Sequence, residues 1–179
     1  MFTDTVFPLL GATWRPTTSG ESAHAPIGMS HRHQYPRTVA EVIDPNMTFR
    51  PGVLATVRQF KASRPWRGSL DERKAKFAAI HQALCAIYGK TTTLTFDQLD
   101  GSFSGDSSFC PATNTITLRG KLSVVTYLHE FGHALGRDER GACKWSLNLF
   151  KRTFPILFAK CAQQGHVLRA EEQPPETQT

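Results

Sequence analysis

The chain has 179 residues, enough for one domain with a real hydrophobic core and room for tails. Hydrophobic residues make up 40% and charged residues 20%, as in an ordinary soluble globular protein, and no apolar run approaches the length of a membrane span. Net charge is +6 and unevenly spread: residues 50–76 hold eight Lys/Arg against two acids, and residues 170–179 hold three Glu and no base.

The first ten residues carry Asp4 and no basic residue, so they do not read as a secretory signal. The four cysteines, Cys85, Cys110, Cys143 and Cys161, contain no C-x-x-C pair, and read as reduced thiols of a cytoplasmic protein. Residues 1–46 hold five of the eleven prolines, many Ser, Thr and Gly, and few aliphatic residues; this composition reads as a disordered N-terminal tail. His31-Arg32-His33 lies in that tail and reads as part of it rather than as a metal site.

A domain is expected over residues 47–169. Pro51 opens a helix to about Ala62, with Val53, Leu54, Val57 and Phe60 on one stripe. Arg64-Pro65-Trp66-Arg67-Gly68 breaks it. Ser69 and Glu72 have capping-box spacing for a second helix, whose stripe is Phe77, Ile80, Leu84 and Ile87 and which ends at Gly89. Thr92 to Phe96 is β-branched and aromatic. Ser107 to Phe109 and Thr115 to Leu118 read as a hairpin around Pro111-Ala112-Thr113-Asn114. Ser123 then caps a helix from Val124 to Leu135, closed by Gly136. Further helices are expected from about Asp138 to Arg152 and from Phe154 to Gln164. Residues 170–179 read as a disordered acidic tail. The basic 50–76 stretch reads first as a solvated helix face, and second as a surface for nucleic acid or an acidic protein.

The third helix carries His129-Glu130-Phe131-Gly132-His133. Histidines at i and i+4 stack on one helix face and can bind one ion. At about 100° per residue, Val124, Leu128, Phe131 and Leu135 cluster on one face with Tyr127 near them. His129, His133, Thr126 and Glu130 take the opposite face. That separation predicts a core side and a chemistry side, and puts Tyr127 in the core.

Imidazole nitrogens suit zinc, and a catalytic zinc keeps three protein ligands plus water. The third ligand must come from beyond the helix. Glu139 lies ten residues after His129, and Gly136 can turn the chain back to bring it near. Asp138 is the rival, although it also suits a helix N-cap. Cys143 and His166 are outside candidates. Glu130 is the general base by position: it would take a proton from water on the zinc and pass it to a leaving amine. Arg140 and His166 are weak candidates for stabilising an oxyanion.

With these motifs in place, residues 69–158 resemble the zincin metallopeptidases. The order helix, strand, hairpin, H-E-x-x-H helix is that of their minimal core. Glu139-Arg140-Gly141-Ala142 is similar to the E-x-x-A stretch of gluzincins, most of all the compact ImmA/IrrE-type minigluzincins. The H-E-x-x-H-x-x-G spacing is similar to metzincins, with Glu139 where their third His stands and no Met-turn. The resemblance implies an α+β fold with a small, mainly antiparallel sheet packed on helices. It implies a zinc peptidase with His129, His133 and Glu139 as ligands, Glu130 as base, and a peptide or protein substrate. It implies that Ala142 lets two helices pack closely, and that the strand around residues 107–118 is a lip for substrate. The competing expectation is a non-catalytic module that binds nucleic acid or an acidic protein through residues 50–76.

Overall fold

The computed structural model describes residues 39–97 and 107–163. Five helices and three strands are present among them: α1 (Val53–Ala62), α2 (Leu70–Tyr88), β1 (Thr93–Asp97), β2 (Ser108–Cys110), β3 (Thr115–Arg119), α3 (Val124–Ala134), α4 (Glu139–Thr153) and α5 (Pro155–Gln163). The fold is α+β, and no helix among the described residues is long and apolar enough to cross a membrane.

Local chemistry explains most boundaries. Ser69 caps α2 by accepting from the Glu72 backbone N–H, and the Glu72 carboxylate accepts from the Ser69 N–H at 2.7 Å. Ser123 caps α3 by accepting from the Thr126 N–H, and Asp138 caps α4 by accepting from the Gly141 N–H at 2.8 Å. Between α3 and α4, Gly136 has φ +82°, a left-handed conformation that side chains resist. That turn lets α4 run back along α3.

The sheet has the order β1-β3-β2. β2 and β3 form the expected antiparallel hairpin, but β1 pairs with β3 in parallel, Thr93 opposite Thr115 through Asp97 opposite Arg119. The sheet is therefore mixed, which corrects the expectation of a mainly antiparallel one. β3 is central, so both its edges are bonded, and β1 reaches it from α2 rather than from a tight turn. Alternation of apolar residues marks which face of a strand is buried, and carries no information on the direction of its neighbour. Ile116 and Leu118 turn inward from β3 and are essentially unexposed.

The core joins Val53, Val57 and Phe60 of α1, Phe77, Ile80 and Leu84 of α2, β3, and Tyr127, Leu128 and Phe131 of α3 to Trp145, Leu149 and Phe150 of α4. Inside it, His81 Nε2 stands 2.7 Å from the Thr92 carbonyl and Nδ1 3.3 Å from the Tyr127 hydroxyl. An Nε2–H donating to Thr92 leaves Nδ1 to accept from Tyr127, so both buried polar groups are satisfied. Burial holds the His81 pKa below its ordinary value, which keeps the ring neutral in this role.

Residues 1–38 of the segment expected to be a tail lie outside the described residues, as do 164–179, which include His166. Residues 39–46 pack against α4. Val42 is buried, its carbonyl accepts from the Asn148 side chain at 2.8 Å, and Asn148 Oδ1 accepts from the Asp44 N–H at 2.8 Å. Asp44 also pairs with Lys144 at 2.9 Å.

Candidate metal centre

The motif lies on α3 at its closest approach to α4. Tyr127, Leu128 and Phe131 are fully buried on the core side, as the angular count predicts. The opposite side is covered as well: His129 is 6% and Glu130 7% exposed, shielded by α4 and by the edge strand β2. The helices meet where a Cβ on Gly132 would lie 3.0 Å from Ala142 Cα and 3.1 Å from Ala142 Cβ. A side chain there would require α4 to give by a few tenths of an ångström, opposite the small residue that the resemblance singles out.

This close approach brings three donors together. His129 Nε2 and His133 Nε2 are 3.1 Å apart. Glu139 Oε1 is 3.4 Å from His129 Nε2, and Oε2 is 3.2 Å from His133 Nε2. Ligands of a tetrahedral zinc, at roughly 2.0–2.1 Å from the ion, stand about 3.3 Å from one another. The three observed separations are near that figure, with the Glu139 carboxylate spanning the two imidazoles through different oxygens.

Each imidazole is oriented from behind. His133 Nδ1 is 3.1 Å from the Arg137 carbonyl, which the Gly136 turn delivers. Donation to that carbonyl leaves the Nε2 lone pair facing the cluster. His129 Nδ1 is 3.8 Å from Cys143 Sγ, and the Cys143 thiol donates to Glu139 Oε1 at 3.5 Å. His129, Glu139 and Cys143 each offer a ligand atom within 4.8 Å of the others, so these three, without His133, form an alternative donor set. Cys143 lies on the Nδ1 side of His129, whereas His133 lies on the Nε2 side, where the Glu139 carboxylate also reaches. One ion bound through both Nε2 atoms leaves Cys143 behind the ring. Burial, then the Glu139 charge, pushes the Cys143 pKa far up, which favours the neutral thiol.

The carboxylates differ sharply. Burial alone would raise Glu139, but hydrogen bonds and charge from His129 and His133 outweigh it and hold its carboxyl well below the usual range. Burial of His133 favours the neutral ring, yet Glu139 and the Arg137 carbonyl together raise its pKa. Glu130 is pushed up to about 7, chiefly by burial and also by the Glu139 charge, against lowering by the two imidazoles and the Phe109 backbone N–H. A carboxyl with a pKa near neutral can both accept and return a proton.

Of the expected residues, His129, His133, Glu139 and Glu130 come together on one side of α3. Asp138 is turned away to cap α4. Arg140 is exposed, and Tyr127 is committed to His81 in the core. Two features go beyond the sequence reading: the Phe109 backbone near Glu130, and the placement of Cys143, an outside candidate for ligand, on the Nδ1 side of His129. No sequence spacing signals the first, since it depends on how β2 docks. The i, i+4 spacing of Glu139 and Cys143 on one helix does bear on the second.

The basic residues of 50–76 are largely used locally. Lys76 Nζ donates to the Arg64 and Arg67 carbonyls, Arg73 Nε to the Pro65 carbonyl, Lys74 pairs with Asp71, and Lys61 lies over the Phe154 ring. Comparison of the chain with protein-family models, curated proteins and solved structures gives no match, so the site stands on its own geometry.

Proposed function

We propose that this protein is a zinc-dependent hydrolase acting on peptide bonds, with a zincin-like metal centre. The observation that supports this reading is the convergence of His129 Nε2 and His133 Nε2, 3.1 Å apart, with the Glu139 carboxylate, whose Oε1 lies 3.4 Å from the first and whose Oε2 lies 3.2 Å from the second. Three donors leave a fourth position for water or substrate, as in catalytic rather than structural zinc sites. Zinc held there would acidify water and polarise a carbonyl. Glu130, on the same helix face, would take the proton from such water and return it to the departing amine. The edge position of β2 beside Glu130 favours an extended substrate lying along that strand.

A second reading has one observation in its favour. Cys143 Sγ is close enough to close the coordination shell, and a closed site of four protein ligands is structural. The chain would then be a binding module. The position of Cys143 behind His129 Nδ1, and the presence of Glu130, which a structural site does not need, favour the hydrolase.

One experiment addresses both metal and chemistry: zinc content and cleavage of a mixed peptide library for the wild type, His133→Ala and Glu130→Gln. The proposal predicts zinc in the wild type and in Glu130→Gln, little in His133→Ala, and cleavage by the wild type alone. Cleavage that persists in Glu130→Gln, or equal zinc in all three proteins, would overturn it.

A further inference from the structure

A cavity lies beside the α3–α4 turn. Its volume is about 580 Å³, within the range of small-molecule sites. Four segments meet there: residues 48–50 before α1, the end of α2, the α3–α4 turn and α4. Its lining includes Arg50, Lys90 and Arg137 with Phe49, Tyr88 and Trp145; none of the metal-centre side chains lines it, and Arg137 touches His133 only through its backbone carbonyl. Three of these side chains are cationic and none is acidic.

The three cations, all on exposed residues, have no carboxylate partner among the described residues. Arg50 is held in place: its guanidinium lies 5.1 Å over the Tyr88 ring, and Nη1 donates to the Ile87 carbonyl at 3.3 Å. The simplest account of such cations is that they complement helix C-termini, since α2 and α3 both end here. Each terminus contributes about half a negative charge, so two termini offset roughly one of the three cations. About two positive charges remain, which is the charge of a phosphate monoester. Arginine guanidinium pairs with phosphate oxygens through parallel N–H donors. The remaining wall is Thr48, Leu135 and the half-buried rings of Phe49 and Tyr88, which meet the buried Trp145 edge to face at 6.3 and 6.2 Å between ring centres.

We propose that this cavity binds a small organic phosphate with a planar ring, a mononucleotide in chemical class. The phosphate is held by Arg50, Lys90 and Arg137, and the ring lies against the half-buried Phe49 and Tyr88. The proposal does not depend on the metal centre.

Calorimetric titration of the full-length protein with adenosine monophosphate, adenosine and ribose 5-phosphate tests it, at fixed moderate salt. Lys90→Glu is the informative variant, because Lys90 is exposed and its only described hydrogen bond is a backbone one, to the Cys85 carbonyl. Lys121→Glu, an exposed change of equal charge outside the cavity, is the control. The nucleotide is predicted to bind more tightly than either fragment. Lys90→Glu is predicted to weaken it about tenfold or more, with Lys121→Glu near wild type. No saturable binding to the wild type, equal binding of adenosine, or equal weakening by both substitutions would each overturn the proposal.

Discussion

At Glu130 a carboxyl group is 7% exposed and touches two imidazoles' field and one backbone N–H. Its pKa in the fold is about 7, against an ordinary 4.5. Below 4.5 the folded and unfolded chains both carry the proton, and burial costs nothing through this group. Between 4.5 and 7 the fold keeps a proton that the unfolded chain loses, so stability falls as pH rises, and the penalty is complete above 7. A shift of that size corresponds to about 3 kcal/mol. Metal-free Glu130→Gln is therefore predicted to be more stable than the wild type at pH 8 by about 1–3 kcal/mol, with the gain vanishing near pH 4.5. Urea unfolding at the two pH values measures this; equal stabilities at pH 8 would contradict the burial account. Glu139 has the opposite sign. Its depressed pKa contributes stability that is present above its ordinary value and lost as pH falls through the folded one. The two carboxyls, nine residues apart, are set to different tasks by environment alone.

The pairing of α3 with α4 holds the site together. Gly132 permits the contact with Ala142, and Gly136 reverses the chain so that Glu139 reaches both histidines. Gly132→Val is predicted to force the helices apart, costing about 1–3 kcal/mol by overpacking and weakening zinc binding because Glu139 retreats. Denaturation and zinc titration of this variant check the point; wild-type stability with wild-type affinity would mean that the close approach is not needed. Much of this pairing was legible in the sequence. The i, i+4 histidines, the caps at Ser69 and Ser123, and the turn at Gly136 are all local signals. The choice of Glu139 over Asp138 was left open, because both follow the turn and only the register of α4 on α3 separates them. The Phe109 N–H on Glu130 and the His81–Tyr127 pair were not legible. They join residues 21 and 46 positions apart, and their contacts exist only after the elements dock. The parallel pairing of β1 was hidden for the same reason.

Across the whole molecule, α4 serves both ends of the described chain. Its first turn supplies Glu139, and its middle supplies Asn148, which joins residues 42–44 to the core through the Val42 carbonyl and the Asp44 N–H. Asn148 is 2% exposed, so its removal leaves backbone groups without partners in a poorly solvated place. Asn148→Ala is predicted to destabilise the protein by about 1–3 kcal/mol, read by urea unfolding. A loss within experimental error would show that residues 39–46 add little to the fold. The central claim is that one face of this molecule presents two imidazoles and one carboxylate to a zinc ion and keeps the Cys143 thiol behind them. X-ray absorption at the zinc edge of the loaded wild-type protein tests it most directly. The account predicts a first shell of nitrogen and oxygen at roughly 2.0–2.1 Å and no sulfur; a sulfur scatterer at roughly 2.3 Å would contradict it and make Cys143 a ligand of a closed site.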